Sequence, residues 1–305
     1  MPMLSTNPAS GQTLHSFPVW SMDQTHAVLS QVEHAQADWA VFTMEQRSHT
    51  MRQLAQVFRQ YREEYANLIT EEMGKLLKEA RAEVDKCALG CEYYAEHAQS
   101  YLKDEVMASD ASRSLVMYQP LGILLCIMPW NFPFWQLIRA AAPAMMAGNA
   151  VVLKHASNVP RCALALEHAF QRAGFPADVF RTLLISAEQT ETVVADPRVA
   201  AVTLTGSSQA GRKVASIAGR HLKKCVLELG GSDPFIVLGD ADLETTAQHA
   251  LFARFQNMGQ SCIAAKRFIL VDSIADVFIG HVKKLVEQMQ WGDPRNEATT
   301  IAPMA

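Results

Sequence analysis

The sequence predicts an α/β protein organised around a Rossmann-type parallel sheet. Two observations predict it. Through the middle of the chain, short apolar runs alternate with amphipathic stretches of helical period. Each run also ends in a turn rich in glycine, proline or small polar residues, as expected of buried parallel strands followed by crossover helices.

Taken in order, residues 1–20 read as extended, with a turn from Pro8 to Gly11. A first helix is predicted over Met22–Trp39. In the helical region that follows, Leu54, Val57, Phe58, Tyr61, Tyr65, Leu68 and Ile69 recur at steps of three and four, forming one apolar face. Gly74 interrupts the pattern; Leu77, Ala80, Val84, Cys91 and Tyr94 resume it to about Ala98. Val106–Gln119 alternates weakly, as a hairpin would. Strands are then predicted at Gly122–Met128, Ala150–Leu153, Ala200–Thr205 and Cys225–Leu229. Helices separate them: one after Pro133, one from Arg161 to Ala173 stopped by Gly174-Phe175-Pro176, and one from Gln209. Beyond Gly230 come a helix over Leu243–Phe255, an irregular loop Gln256–Ser261, a strand Lys266–Val271, and a helix capped by Ser273 with the stripe Val277, Phe278, Val282, Leu285, Val286 and Met289. Residues 230–305 supply too few elements for an independent core, so a second domain is expected to be incomplete.

Composition bounds the function. The chain of 305 residues is 49% hydrophobic and 19% charged with net charge −4, which is globular and gives no basic block for nucleic acid. The longest apolar run, Leu121–Met128, is too short to span a bilayer, and the N-terminus lacks the pattern of an export signal, so a cytoplasmic protein is expected. Six cysteines show no C-x-x-C or zinc spacing and read as reduced thiols, and no metal is expected.

Five segments can carry chemistry. Cys262, in Asn257-Met258-Gly259-Gln260-Ser261-Cys262, sits in a polar loop between helix and strand; it is either a buried small hydrophobe or an exposed nucleophilic thiol. Glu228, before Leu229-Gly230-Gly231, stands at a strand end, as a surface carboxylate before a turn or as a general base. The turn Pro129-Trp130-Asn131-Phe132-Pro133 is stiffened by two prolines and offers the Asn131 amide as an oxyanion donor, or is an aromatic plug. Thr205-Gly206-Ser207-Ser208-Gln209-Ala210-Gly211 puts glycines at a strand-to-helix junction, where phosphate oxygens approach backbone N–H groups. It lacks the G-x-G-x-x-G spacing, so a generic β–α turn competes. Lys154, just past a strand, reaches a ribose or phosphate in the same cleft.

In combination and order, PWNFP, AGNAVVLKHAS, TLTGSSQAG, ELGGSDPFIVL and GQSCIAAKR resemble the aldehyde dehydrogenase superfamily, over essentially the whole chain. The resemblance implies an NAD(P)-binding domain over 1–229, with an oligomerisation hairpin at about 104–120, and the first part of a truncated α/β catalytic domain over 230–305. It implies that Cys262 attacks an aldehyde to give a thiohemiacetal, that Asn131 and the Cys262 N–H hold the oxyanion, and that Glu228 activates the water that hydrolyses the later thioester. The 34-residue separation of Glu228 and Cys262 suits that pattern. Trp130, Asn131 and Leu229 are implied to line the cofactor, Lys154 and Ser157 to face its adenosine ribose, and Gly206, Ser207 and Gly211 to lie at its pyrophosphate. Ser157 stands where NAD-selective relatives carry a glutamate, so NADP is expected to be accepted alongside or above NAD.

The wording MPWNFPFWQLIRAA and RFQNMGQSCIAAKRF looks most like bacterial succinate-semialdehyde dehydrogenases. Arg139 matches one of that branch's carboxylate-binding arginines, whereas Gln256 stands in place of the other. Ala264 replaces the second redox cysteine of some members, which speaks against a disulfide switch at Cys262. Glu228 speaks against a CoA-acylating relative. The complete protein is expected to be a homo-oligomer acting on a small aldehyde. The alternative expectation is a truncated, non-catalytic nucleotide-binding fragment, because the family's Glu-x-Phe-Gly-Pro motif has no counterpart here.

Overall fold

The computed structural model describes residues 2–305. An antiparallel hairpin of β1 (Met3–Thr6) and β2 (Thr13–Phe17) leads into four helices: α1 (Met22–Ala40), α2 (Met44–Gln60), α3 (Arg62–Met73) and α4 (Leu77–Tyr101). Local capping sets the starts of the first two. Ser21 with Gln24, and Thr43 with Gln46, form reciprocal capping boxes that satisfy the free N–H groups of the first turn. The long helical region breaks at Tyr61 and again at Gly74. Gly74 takes a left-handed φ of 77°, and a Cβ there would lie 2.9 Å from the Pro303 carbonyl oxygen, so only glycine fits.

The predicted hairpin is present as β3 (Glu105–Val106) paired antiparallel with β4 (Leu115–Val116). There follow β5 (Ile123–Met128), α5 (Trp135–Met146), β6 (Ala150–His155), α6 (Pro160–Arg172), β7 (Phe180–Thr182), α7 (Gln189–Ala195), β8 (Val199–Gly206), α8 (Ser208–Arg220) and β9 (Lys224–Leu229). The strands form one parallel five-stranded sheet in the order β7-β6-β5-β8-β9. The short β7 and α7 lie outside the elements expected from sequence. Side chains on β5 alternate between the two faces, as the period of a strand requires. Cys126 and Met128 enter the core beneath α2 to α6, while Ile123 and Leu125 enter the core formed with α1, α7 and α8. Helices therefore cover both faces, the doubly wound arrangement that places ligands at the carboxyl ends of the strands. The strand order reverses direction between β5 and β8, which makes their carboxyl ends the switch point.

After β9 the chain builds a second sheet, β10 (Asp233–Val237) parallel to β11 (Ala265–Leu270), with α9 (Leu243–Phe255) between them and α10 (Ala275–Glu287) behind. Asp242 caps α9 through the Thr245 N–H. The expected Ser273 cap is not formed. Ser273 lies inside a short 3-10 turn, Asp272–Ile274, and α10 begins after Ile274 with no side-chain cap. This unit has a small core of Val237, Ala247, Ala250 and Phe278. Val277 and Val286 of the predicted stripe are exposed, because few elements pack against α10. Among the described residues, no helix is long and apolar enough to cross a membrane.

Candidate active site

Cys262 lies just past the turn Gln256–Gly259, between α9 and β11. Glu228 lies near the end of β9, paired in register with Thr205 of β8. Although they belong to different units, both line one cavity of about 730 Å³, together with Arg139, Gln256, Trp135 and Phe132. Lys266 joins the two segments, its Nζ donating to the Cys262 carbonyl at 2.7 Å and to the Gly231 carbonyl at 2.8 Å. A Cβ at Gly231 would stand 3.1 Å from the Asp233 carboxylate and 3.7 Å from the Cys262 carbonyl, so the glycine turn runs close beside the cysteine loop. All six cysteines are free; Cys87, Cys91, Cys126 and Cys162 are buried and Cys262 is half-buried. Burial drives the Cys91 and Cys126 thiols up out of the range in which thiolate forms.

Arg139 projects from α5 toward the same cavity. Its Nε donates to Gln136 Oε1 at 2.9 Å and one Nη to Thr205 Oγ1 at 3.0 Å; the same Nη lies 3.7 Å from the Glu228 carboxylate. The guanidinium is thus held in place by two neutral acceptors while facing the Glu228 carboxylate. Asn131 is brought to the cysteine loop in a way that sequence did not indicate. Its Nδ2 donates to the Gln260 carbonyl at 2.8 Å, and its own backbone carbonyl accepts from Asn257 Nδ2 at 2.8 Å. One amide hydrogen is therefore spent on the loop and the second remains.

The residues implied to hold a cofactor lie along the carboxyl edge of the five-stranded sheet. Trp130 follows β5, Lys154 stands near the end of β6, Gly206 ends β8 and Leu229 ends β9, with Gly206 opposite Leu229. Ser207 caps α8, its Oγ accepting from the Ala210 N–H. The first turn of α8 therefore presents backbone N–H groups and the positive end of the helix dipole at the sheet's carboxyl edge, a setting that suits a pyrophosphate. At Gly211 a Cβ would lie 2.7 Å from Leu229 Cδ2, so this glycine lets α8 close onto β9. Burial lowers the Lys154 ammonium pKa, and the charge of Glu188 partly opposes that. Ser157 is exposed before α6. None of these cofactor-edge residues lines the 730 Å³ cavity.

Comparison with known proteins fits this geometry. The model of the aldehyde dehydrogenase family matches residues 2–305. The chain belongs to the aldehyde dehydrogenase family. Among similar curated proteins is a probable succinate-semialdehyde dehydrogenase [NADP(+)] of Synechocystis sp., 50% identical over 305 residues, which cover 100% of this chain and 67% of that protein. A succinate-semialdehyde dehydrogenase [NADP(+)] of Mycobacterium leprae is 47% identical over 308 residues, with the same shares covered. Among solved structures, succinic semialdehyde dehydrogenase from Streptococcus pyogenes, in complex with NADP+, superposes with a TM-score of 0.96 at 38% identity, covering 99% of this chain and 67% of that one. The chain thus spans about two thirds of the length of the relatives it matches.

Three supports of this candidate site were not visible in the sequence. Lys75 and Glu83 form a buried ion pair, and the other Glu83 oxygen accepts from the Phe134 and Trp135 N–H groups at 2.9 and 3.1 Å, anchoring the start of α5. His155 Nε2 donates to the Pro133 carbonyl at 2.9 Å while its Nδ1 accepts from the Ala156 N–H, pinning the Asn131 turn to β6. Lys266 is the third. Each partner lies far off in sequence or on the backbone, where residue type carries no signal.

Proposed function

We propose that this chain carries the thiol, base and cofactor residues of an NADP-dependent succinate-semialdehyde dehydrogenase. The carrying observation is that Cys262, Glu228 and Arg139 line a single cavity beside the carboxyl edge of a parallel sheet. The Cys262 thiolate adds to the aldehyde carbon, and the new alkoxide is held by the remaining Asn131 amide hydrogen and the Cys262 N–H. A bound nicotinamide supplies the hydride acceptor for the oxidation of that carbon. Glu228 then takes a proton from water, the water oxygen bonds to the thioester carbon, and the Cys262 thiolate leaves, releasing the acid.

Arg139 supplies a cation for the distal carboxylate of succinate semialdehyde, its guanidinium already oriented by Gln136 and Thr205. Gln256 offers a neutral second contact on the cavity wall. The α8 N-terminus and Lys154 fit the phosphates and ribose of the cofactor. Ser157, exposed and uncharged, leaves room for a 2′-phosphate, a reading supported by the NADP+ in the names of the relatives. The large exposure of Ile236, Leu238 and Ile263 around the second sheet, and of Val226 on the edge strand β9, favours a second reading, in which these 305 residues bind nucleotide without turning over.

The two readings separate in one experiment. The purified chain is mixed with succinate semialdehyde and NADP, and NADPH formation and nucleotide binding are followed. Turnover that C262A abolishes, and that E228Q slows by about 10²–10⁴-fold at thioester hydrolysis, supports the enzyme. NADP binding without turnover supports the second reading. R139M is expected to raise KM for succinate semialdehyde by about tenfold to a hundredfold, from loss of a charged hydrogen bond, while leaving an uncharged aldehyde little affected. Equal effects on both aldehydes would refute the carboxylate role.

A further inference from the structure

The turn that delivers Cys262 has an unusual backbone. Asn257, Met258 and Gly259 take successive left-handed φ values of 54°, 57° and 72°. Left-handed conformations are ordinary for glycine and disfavoured for residues with a Cβ, most of all in succession. Something outside the turn must therefore hold it. Asn257 is wholly buried, and its Nδ2 donates to the carbonyls of Asn131 and Gln260. Its backbone N–H is satisfied from another layer of the fold altogether: it donates to Glu79 Oε1 on α4 at 3.1 Å, across 178 positions of sequence.

Glu79 also lines the cavity shared by Cys262 and Glu228. Its second oxygen, Oε2, is buried without a hydrogen-bond partner, an arrangement that is costly unless the first oxygen is needed where it is. Burial also raises the carboxyl pKa, with the Asn257 N–H opposing that rise. Glu79 stands one helical turn before Glu83 on α4, so one face of this helix anchors both the start of α5 and the cysteine turn.

We propose that Glu79 is a positioning residue for the nucleophile: its carboxylate oxygen fixes the left-handed turn 257–259 through the Asn257 N–H and so sets where Cys262 enters the cavity. What matters is an acceptor at that distance, rather than the negative charge. The catalytic consequence rests on Cys262 being the nucleophile; the effect on the loop does not, so the two can fail separately.

Three variants of the full chain test it: E79Q keeps the acceptor and drops the charge, E79D keeps the charge and draws the oxygen back by one methylene, and E79A removes both. Amide hydrogen exchange of the peptide spanning 256–262 is measured by mass spectrometry, with the β5 and β8 peptides as internal reference, alongside the rate of Cys262 alkylation by iodoacetamide. The expected result is loop exchange faster by about tenfold or more in E79D and E79A, with sheet peptides unchanged, as for a buried N–H left without its acceptor. Cys262 alkylation changes in the same two variants, and E79Q stays within about twofold of the parent in both readouts. If E79A does not fold, the contrast between E79D and E79Q decides alone. The proposal is overturned if E79Q loosens the loop as much as E79D, if E79D matches the parent, or if loop and sheet peptides loosen together.

Discussion

Replacing Lys75 by methionine probes how the site is built into the fold. The Lys75 and Glu83 side chains are 0% and 1% exposed, and the Lys75 ammonium also lies over the Phe132 ring at 3.8 Å. Methionine is close in volume but leaves the Glu83 carboxylate buried without a counter-ion. Removing one partner of a buried pair typically costs about 3–5 kcal/mol. Here two backbone N–H donors still face the other Glu83 oxygen, so the lower end, about 3 kcal/mol, is expected. A second change makes the cause visible. In K75M/E83Q, the side-chain amide oxygen introduced at position 83 can keep accepting from Phe134 and Trp135 while no net charge remains buried, so the loss should shrink to about 1–1.5 kcal/mol. Urea unfolding followed by circular dichroism gives both numbers, read as a fall in midpoint at constant slope. A single variant that loses less than about 1 kcal/mol, or a double variant no better than the single, would refute the reasoning.

Three further outcomes are expected. Burial, opposed chiefly by the Pro133 carbonyl bond, depresses the His155 pKa from 6.5 to about 4. The folded state thus binds fewer protons than the unfolded one. The contribution of His155 is complete above about pH 6.5 and is lost as pH falls toward about 4, up to about 3 kcal/mol; a stability–pH curve should flatten across that window in H155Q relative to the parent. Gly148 has φ of 86°, and a Cβ there would run into the Arg47 guanidinium and reach within 2.8 Å of Pro120 Cγ, so G148A should cost about 1–3 kcal/mol in the same unfolding assay. Introducing the carboxylate in S157E should weaken NADP binding by at least about tenfold relative to NAD, read by titration with each nucleotide; unchanged selectivity would remove Ser157 from cofactor discrimination.

The parts of this molecule that could be read from sequence are those whose constraint is local. The strands β5, β6, β8 and β9 announce themselves as apolar runs because they pack between helical layers. The turns after them are marked by proline and glycine. The three-residue β7 is too short to show a pattern, and α7, with only seven residues, barely completes two turns. Ser273 misled because a 3-10 turn took the place of the cap. In the candidate site, Cys262 and Glu228, singled out by their motifs, both line the one cavity, whereas the left-handed run was signalled by Gly259 and more weakly by Asn257; Met258 carries no such mark. Glu79, Glu83 and Lys266 act on backbone groups, and a backbone N–H or carbonyl belongs to almost every residue.

That last class explains how the turn before Cys262 can be held where its own sequence would not keep it. Two non-glycine residues in left-handed conformation cost about 1–2 kcal/mol each, or about 2–4 kcal/mol together. Against this stand three hydrogen bonds, Glu79 to the Asn257 N–H, Asn257 to the Asn131 carbonyl and Asn131 to the Gln260 carbonyl, at about 0.5–1.5 kcal/mol each. The sums are comparable, so the turn is held by a narrow margin, and its partners come from α4 and from the turn after β5. Both belong to the layer around the five-stranded sheet rather than to the second sheet that bears Cys262. The position of the thiol is therefore decided by the same layer that carries Glu228 and the carboxyl edge of the five-stranded sheet. Cys262, Glu228 and the sheet's carboxyl edge share one reference frame, even though the loop bearing Cys262 belongs to the smaller, more exposed unit.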